Sequence, residues 1–216
     1  MLKNKVDKLA TELLETLSNS PDRIRYFLGI TGYPAAGKSA LSSELADEIN
    51  FRTGDDLAVV IPMDGFHLPN NILEERGLIK SKGAPETFDA DSFVELINRL
   101  HEFPDQSIMC PAYDRRAHNP VENAITIQPG NRLIIVEGNY LLLSVSPWNT
   151  IHTRMNEVWY IDAPLQTVKE RLFHRHISGG ASKDEAERKV ASVDLPNAEL
   201  IKKTCSLADK IICLDN

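Results

Sequence analysis

The octapeptide Gly32-Tyr33-Pro34-Ala35-Ala36-Gly37-Lys38-Ser39 fits G-x-x-x-x-G-K-[S/T]. That pattern has mechanical meaning only where a buried strand runs into a tight turn that opens a helix. The flanks meet the requirement. Residues 26–31 are short, apolar and end in glycine, as a strand buried on both faces would be. After the turn, Leu41, Leu45, Ala46 and Ile49 return at helical spacing. Small residues let successive backbone N–H groups curl around phosphate oxygens at a helix N-terminus. In such a loop Lys38 brings a point charge to the β- and γ-phosphates and the Ser39 hydroxyl can ligate Mg²⁺. Residues 32–40, Ala40 included, form the expected nucleotide-binding loop, with ATP and Mg²⁺ as its expected occupants.

The rest of the chain repeats the strand and helix alternation. Leu2, Val6, Leu9, Leu13, Leu14 and Leu17 form one helical stripe over residues 2–18, which Asn19-Ser20-Pro21-Asp22 stops. Strands are expected at 57–62, 107–110, 133–136, 158–161 and 210–214, and helices at 91–101, 165–177 and 183–191, the last two parted by Ser178-Gly179-Gly180. Residues 65–90 carry Gly, Pro, Asn and Lys without periodicity, the pattern of a long functional excursion for substrate. The expectation is an α/β, three-layer fold with a mostly parallel central sheet and helices on both faces, built as one domain over residues 1–216 with an N-terminal helix at 1–20.

Composition removes competing classes. Hydrophobic residues at 42% and charged residues at 25% suit a packed core and exclude a disordered chain. With 31 acidic against 24 basic side chains, the net charge of -7 offers no general attraction to nucleic acid or an anionic membrane. No apolar run approaches the roughly 18 residues a spanning helix needs, and Met1-Leu2-Lys3-Asn4-Lys5-Val6-Asp7 lacks the apolar stretch of a signal peptide, so a cytoplasmic protein is expected. Cys110, Cys205 and Cys213 have no metal-site spacing and read as reduced, mostly buried thiols.

Four further groups carry chemistry. The apolar run Leu133-Ile134-Ile135-Val136 ends in Glu137, placed to hold the metal or its water from a strand beside the loop. Asp64 ends the run 57–63; if its strand neighbours that of the P-loop, its carboxylate opens onto the γ-phosphate and can take a proton from an acceptor hydroxyl. In Tyr113-Asp114-Arg115-Arg116-Ala117-His118, paired arginines can grip a carboxylate or phosphate, which suits a sugar acid or sugar phosphate. Arg171 and Arg175 lie four apart on one helical face, able to point at one ligand.

These motifs, together with Asp64-Gly65-Phe66, Lys82-Gly83-Ala84-Pro85-Glu86-Thr87-Phe88-Asp89, Pro111-Ala112-Tyr113-Asp114, Glu137-Gly138-Asn139-Tyr140 and Arg171-Leu172-Phe173-His174-Arg175, stand in the order of a known family. Over residues 26–214 the chain resembles the phosphoribulokinase and uridine kinase superfamily, in its pantothenate-kinase-like and fructose-transport-system-kinase-like branches. The resemblance implies a P-loop NTPase fold with a helical lid at 171–192, whose arginines reach the transferring phosphate. It also implies Asp64 as catalytic base and Glu137 at the Mg²⁺ site. It assigns substrate contacts to His67, which stands where uridine kinases have a tyrosine, and to Glu86, where they have an aspartate. Tyr113 and His118 match residues flanking the base, and Asn197 matches a substrate-side asparagine of pantothenate kinases. Relatives are often dimers, so a homodimer is expected.

Two functions follow. One is an ATP-dependent kinase acting on a hydroxyl of a small molecule such as a sugar, sugar acid, nucleoside or pantothenate-like compound. The other is a P-loop regulatory protein that binds and hydrolyses nucleotide. A switch GTPase should carry Asn-Lys-x-Asp after its P-loop. Asn4-Lys5-Val6-Asp7 has those letters but precedes the loop, on the first helix, and no D-x-x-G follows, which favours the kinase.

Overall fold

Parallel strands need crossover connections, so alternating apolar runs and amphipathic helices commit a chain to a sheet covered on both faces. The computed structural model describes residues 2–20 and 24–214. In chain order it contains α1 (Leu2–Ser18), β1 (Tyr26–Gly32), α2 (Lys38–Thr53), β2 (Ala58–Pro62), α3 (Asn70–Glu75), α4 (Ala90–Glu102), β3 (Ile108–Asp114) and β4 (Asn119–Ile127). There follow β5 (Leu133–Glu137), α5 (Asn149–His152), β6 (Glu157–Asp162), α6 (Leu165–Ser178), α7 (Lys183–Lys189), α8 (Leu195–Lys202) and β7 (Lys210–Cys213). The first helix ends at Ser18 as expected; Pro21 and Asp22 of the expected stop lie outside the described residues.

Among the described residues, β2-β5-β1-β6-β7 form a five-stranded sheet in which every neighbouring pair is parallel. Successive side chains of a strand point to opposite faces, and the cores follow that alternation. Leu28, Ile30, Leu133, Ile135, Trp159 and Ile161 pack with α1, α2 and α6 on one side. On the other, Phe27, Ile134, Val136 and Tyr160 pack with α4, α5 and the β3–β4 hairpin. The three-layer reading therefore holds. No helix among the described residues is long and apolar enough to cross a membrane.

Three local expectations change. The order β2-β5-β1 places β5 between the strand of Asp64 and that of the P-loop, so the expected adjacency of those two strands is wrong. The strand expected at 107–110 runs on to Asp114 and pairs antiparallel with β4, which the sequence hid because its residues are mostly exposed and interrupted by Pro120 and two asparagines. The helix expected to end at 191 continues: Leu195 N–H donates five residues back to the Val190 carbonyl, a π-turn that passes Pro196, which has no N–H to give, into α8. Of the cysteines only Cys110 is buried, its thiol pushed up to about 12 by burial; Cys213 is exposed.

The 65–90 excursion leaves β2 through a turn that packs closely on the β3–β4 hairpin. Residues Met63–Phe66 form a 3₁₀ turn after β2, and a Cβ added at Gly65 would collide with the Pro111 carbonyl oxygen of β3. Gly65→Ala must push the turn off the hairpin and should cost about 1–3 kcal/mol, the usual range for overpacking, lowering the thermal unfolding midpoint by several degrees. Gly130→Ala, where an added Cβ meets nothing, should leave the midpoint unchanged. Equal midpoints for the two variants would refute the contact.

Candidate active site

Three of the central strands stop at one end of the sheet, and each hands over a polar group where its apolar run stops. β1 ends in Gly32, whose φ of +141° and whose distance of 2.5 Å from an added Cβ to the Ile161 carbonyl oxygen admit only glycine. The loop then closes with Ala36 N–H donating to Tyr33 O at 3.1 Å, and α2 begins at Lys38. The buried Lys38 ammonium folds back on its own loop, donating to Tyr33 O at 2.8 Å and Gly32 O at 3.1 Å. Burial pulls its pKa down to about 8, against the opposing pull of Glu137 and Asp64.

β5 pairs with β1 so that Glu137 sits opposite Ile30. Its carboxylate accepts a hydrogen bond from Ser39 Oγ at 3.0 Å. Burial, and then the neighbouring Asp64 carboxylate, push the Glu137 pKa up, while Lys38 and the Ser39 hydroxyl oppose them. A hydroxyl beside a carboxylate is an oxygen-only donor pair, which suits a hard cation that keeps its other positions for water and phosphate. Among the described residues no cluster of three His, Cys, Asp or Glu forms a metal cage.

Asp64 reaches the same place although its strand lies one further out. Its 3₁₀ turn is locked on both sides, by Gly65 under β3 and by Met63, whose Cβ would lie 2.6 Å from a Cβ on Gly138. Asp64, Glu137, Arg115, Arg171 and Arg175 then face one cleft of about 620 Å³ with the loop of residues 34–40. Next to it, the His67 ring packs at a tilt against Phe88 (4.0 Å between centroids) and Tyr113 (4.8 Å), with Nδ1 2.8 Å from Asp64 O. Burial lowers the His67 pKa and raises that of Tyr113 to about 12, so both rings are neutral near pH 7.

The remaining expected substrate residues divide. Asn197 is buried and donates to Gly83 O at 3.3 Å, bracing the excursion from α8. Glu86 is exposed and lines a separate cleft with Arg76 and Trp148. Arg115 lines the main cleft but Arg116 does not, so the expected paired grip is not formed. The Asp114 side chain takes the Arg116 and Ala117 N–H groups into a tight turn, at 2.7 and 3.1 Å, leaving Arg116 and His118 exposed at the hairpin tip. Arg171 and Arg175 do share the cleft, as their spacing on α6 requires. Lys82 was missed as an anchor: it bonds Asn70 Oδ1 and the His118 carbonyl, 5.3 Å over the Tyr113 ring. Leu2 and Lys5 of α1 and Leu214 just after β7 also line the cleft, and no catalytic motif marks them.

No protein-family model matches the chain. A Schizosaccharomyces pombe protein named "putative uridine kinase" is 32% identical over 215 residues, covering 95% of this chain and 89% of the relative. A Zygosaccharomyces rouxii protein named "ATP-dependent kinase YFH7" is 28% identical across 88% of this chain and 58% of the longer relative. The crystal structure of a "putative fructose transport system kinase" from Silicibacter sp. TM1040 superposes with a TM-score of 0.85 at 33% identity, covering 96% of this chain and 98% of that one.

The buried ammonium gives nucleotide binding a pH dependence of known sign. Below about pH 8 Lys38 is already charged, and phosphate meets it at no protonation cost. Above that pH the free protein must take up a proton to bind, so Mg-ATP affinity should fall by roughly tenfold per pH unit. Calorimetry between pH 7 and 9.5 should show this fall in the wild type and a weaker, flat profile in Lys38→Ala. A flat wild-type profile would contradict it.

Proposed function

Because the chain belongs to the phosphoribulokinase and uridine kinase superfamily of P-loop kinases, we propose that it transfers the γ-phosphate of ATP to a hydroxyl of a small metabolite. The observation that carries the reading is the convergence of Lys38, Asp64 and Glu137 with three arginines in one cleft. A nucleotide switch needs the first and third of these groups; an acceptor-directed carboxylate and an aromatic wall beside it are what phosphoryl transfer to a second substrate adds.

In this mechanism the loop N–H groups hold the phosphates and Lys38 leaves its carbonyl partners for the β- and γ-oxygens. Ser39 and Glu137 would hold Mg²⁺, which when bound neutralises charge on the β- and γ-oxygens. His67 and Tyr113 wall the acceptor beside Asp64. The Asp64 carboxylate accepts the proton of the acceptor hydroxyl as its oxygen bonds to the γ-phosphorus. The bond from that phosphorus to the β,γ-bridging oxygen breaks, and ADP leaves with the electron pair. Arg171 and Arg175, on one face of α6, engage the charge that grows on the transferring group. Arg115 on the acceptor side supports a substrate bearing a carboxylate or phosphate, such as a sugar acid or sugar phosphate.

Asp64→Asn keeps the shape and removes the charge. With an accepted metabolite in hand, it should cut transfer by on the order of 10²–10⁴, the scale of general base catalysis, while Mg-ATP affinity stays within a few-fold. Transfer close to the wild-type rate would leave Asp64 as a turn residue and remove it from the mechanism.

A further inference from the structure

Resting on the assignment of the cleft to ATP, we propose that the first two turns of α1 form its nucleoside end, with Leu2 and Leu214 as the apolar seat of the base and Lys5 as the residue that positions them. The cleft has two unlike ends. At one, the Lys38 ammonium lies within electrostatic reach of Glu137, Asp64, Arg115 and Arg175, and the proposed function puts the γ-phosphate among these groups. A triphosphate laid along the loop must then carry its nucleoside away from that cluster. Across Gly37 the wall changes character. Leu214 Cδ1 lies 3.0 Å from where a Cβ on Gly37 would be, and Leu2 and Lys5 continue the wall. Leu2 and Leu214 are the only large aliphatic side chains among the described residues lining the cleft. A purine base has apolar faces, and aliphatic side chains against them remove that surface from water.

The helix is held in place for this role. Its buried stripe of Val6, Leu9, Ala10, Leu13 and Leu17 packs in the core it shares with α2. On the side facing the edge strand β7, the Lys5 ammonium bonds the Cys213 carbonyl, and the Lys210 ammonium bonds Glu12. Residues seven apart lie on one helical face, so the two ties fix the rotation of α1. The first of them also holds the backbone immediately before Leu214. Asp7 turns elsewhere, to Arg52 of α2 at 3.3 Å, so the Asn4-Lys5-Val6-Asp7 letters do not read a guanine; only their lysine reaches the cleft. The start of α1 and the segment after β7 thus meet at the nucleotide, and α1 acts as a binding element as well as a cover for the sheet.

The test separates the nucleoside from its phosphates. Calorimetry at pH 7.5 would compare Mg-ATP with inorganic tripolyphosphate, which engages only the loop. The Leu2→Ala/Leu214→Ala variant should lose roughly tenfold in ATP affinity, the scale of two partly buried leucine contacts, with tripolyphosphate affinity within twofold of wild type. Lys5→Ala, which removes no core contact, should weaken ATP in the same selective way, and Lys5→Arg should restore it. Unchanged ATP affinity in both alanine variants, or equal losses for ATP and tripolyphosphate, would overturn the proposal while leaving the cleft a nucleotide site. A wild type that binds neither probe would overturn the nucleotide assignment itself, and this inference with it.

Discussion

A single ammonium, Lys38, is buried at the point where the sheet ends, and the polar architecture of the cleft is arranged around it. Burial works against its charge, pulling the pKa down to about 8, and two loop carbonyls and two carboxylates work to keep it. The carboxylates have the reciprocal problem. Glu137 is buried beside Asp64, and its pKa rises for both reasons, so it also depends on Lys38 and on the Ser39 hydroxyl. A set of charges in this balance answers strongly to an incoming triphosphate, which brings negative charge to the ammonium and releases the loop carbonyls from it.

The scaffold makes that balance possible by geometry alone. Parallel strands end at a common edge, so β1 and β5 bring the loop and Glu137 side by side without any long connection. Asp64 comes from the next strand out and is delivered by a turn, clamped between Gly65 on the hairpin and Met63 on Gly138. Two glycines are what allow a catalytic-type carboxylate to cross the width of a strand. The tilted ring contacts of Phe88, His67 and Tyr113 then continue the wall from the excursion to the hairpin.

What could be read from the sequence was what local geometry dictates. The loop of residues 32–39 needs small residues and a lysine in fixed positions, and strand ends announce Glu137 and Asp64 by the change from apolar to charged. Strand order was not legible, because nothing in residues 57–64 records that β5 intervenes. β4 was hidden because a solvent-facing hairpin strand lacks the apolar run of its buried neighbours, and α8 because Pro196 reads as a stop unless a π-turn absorbs it. Arg115 and Arg116 looked equivalent as neighbours in sequence, yet the Asp114 turn sends only Arg115 to the cleft. Leu2 and Leu214 read only as part of a helical stripe and a strand end, and Lys5 as a polar helix residue; the topology alone brings them to the nucleotide loop.

The central claim is that this cleft passes phosphate to a second molecule. It is tested most directly by incubating the protein with Mg²⁺, ATP labelled in the γ-phosphate and a panel of hydroxyl-bearing metabolites, including sugar acids and sugar phosphates, and following where the label goes. The account predicts label in one class of acceptor, matched one for one by ADP, with little inorganic phosphate in its absence. Label released as inorganic phosphate at the same rate whatever the acceptor would contradict it and make the protein a nucleotide hydrolase.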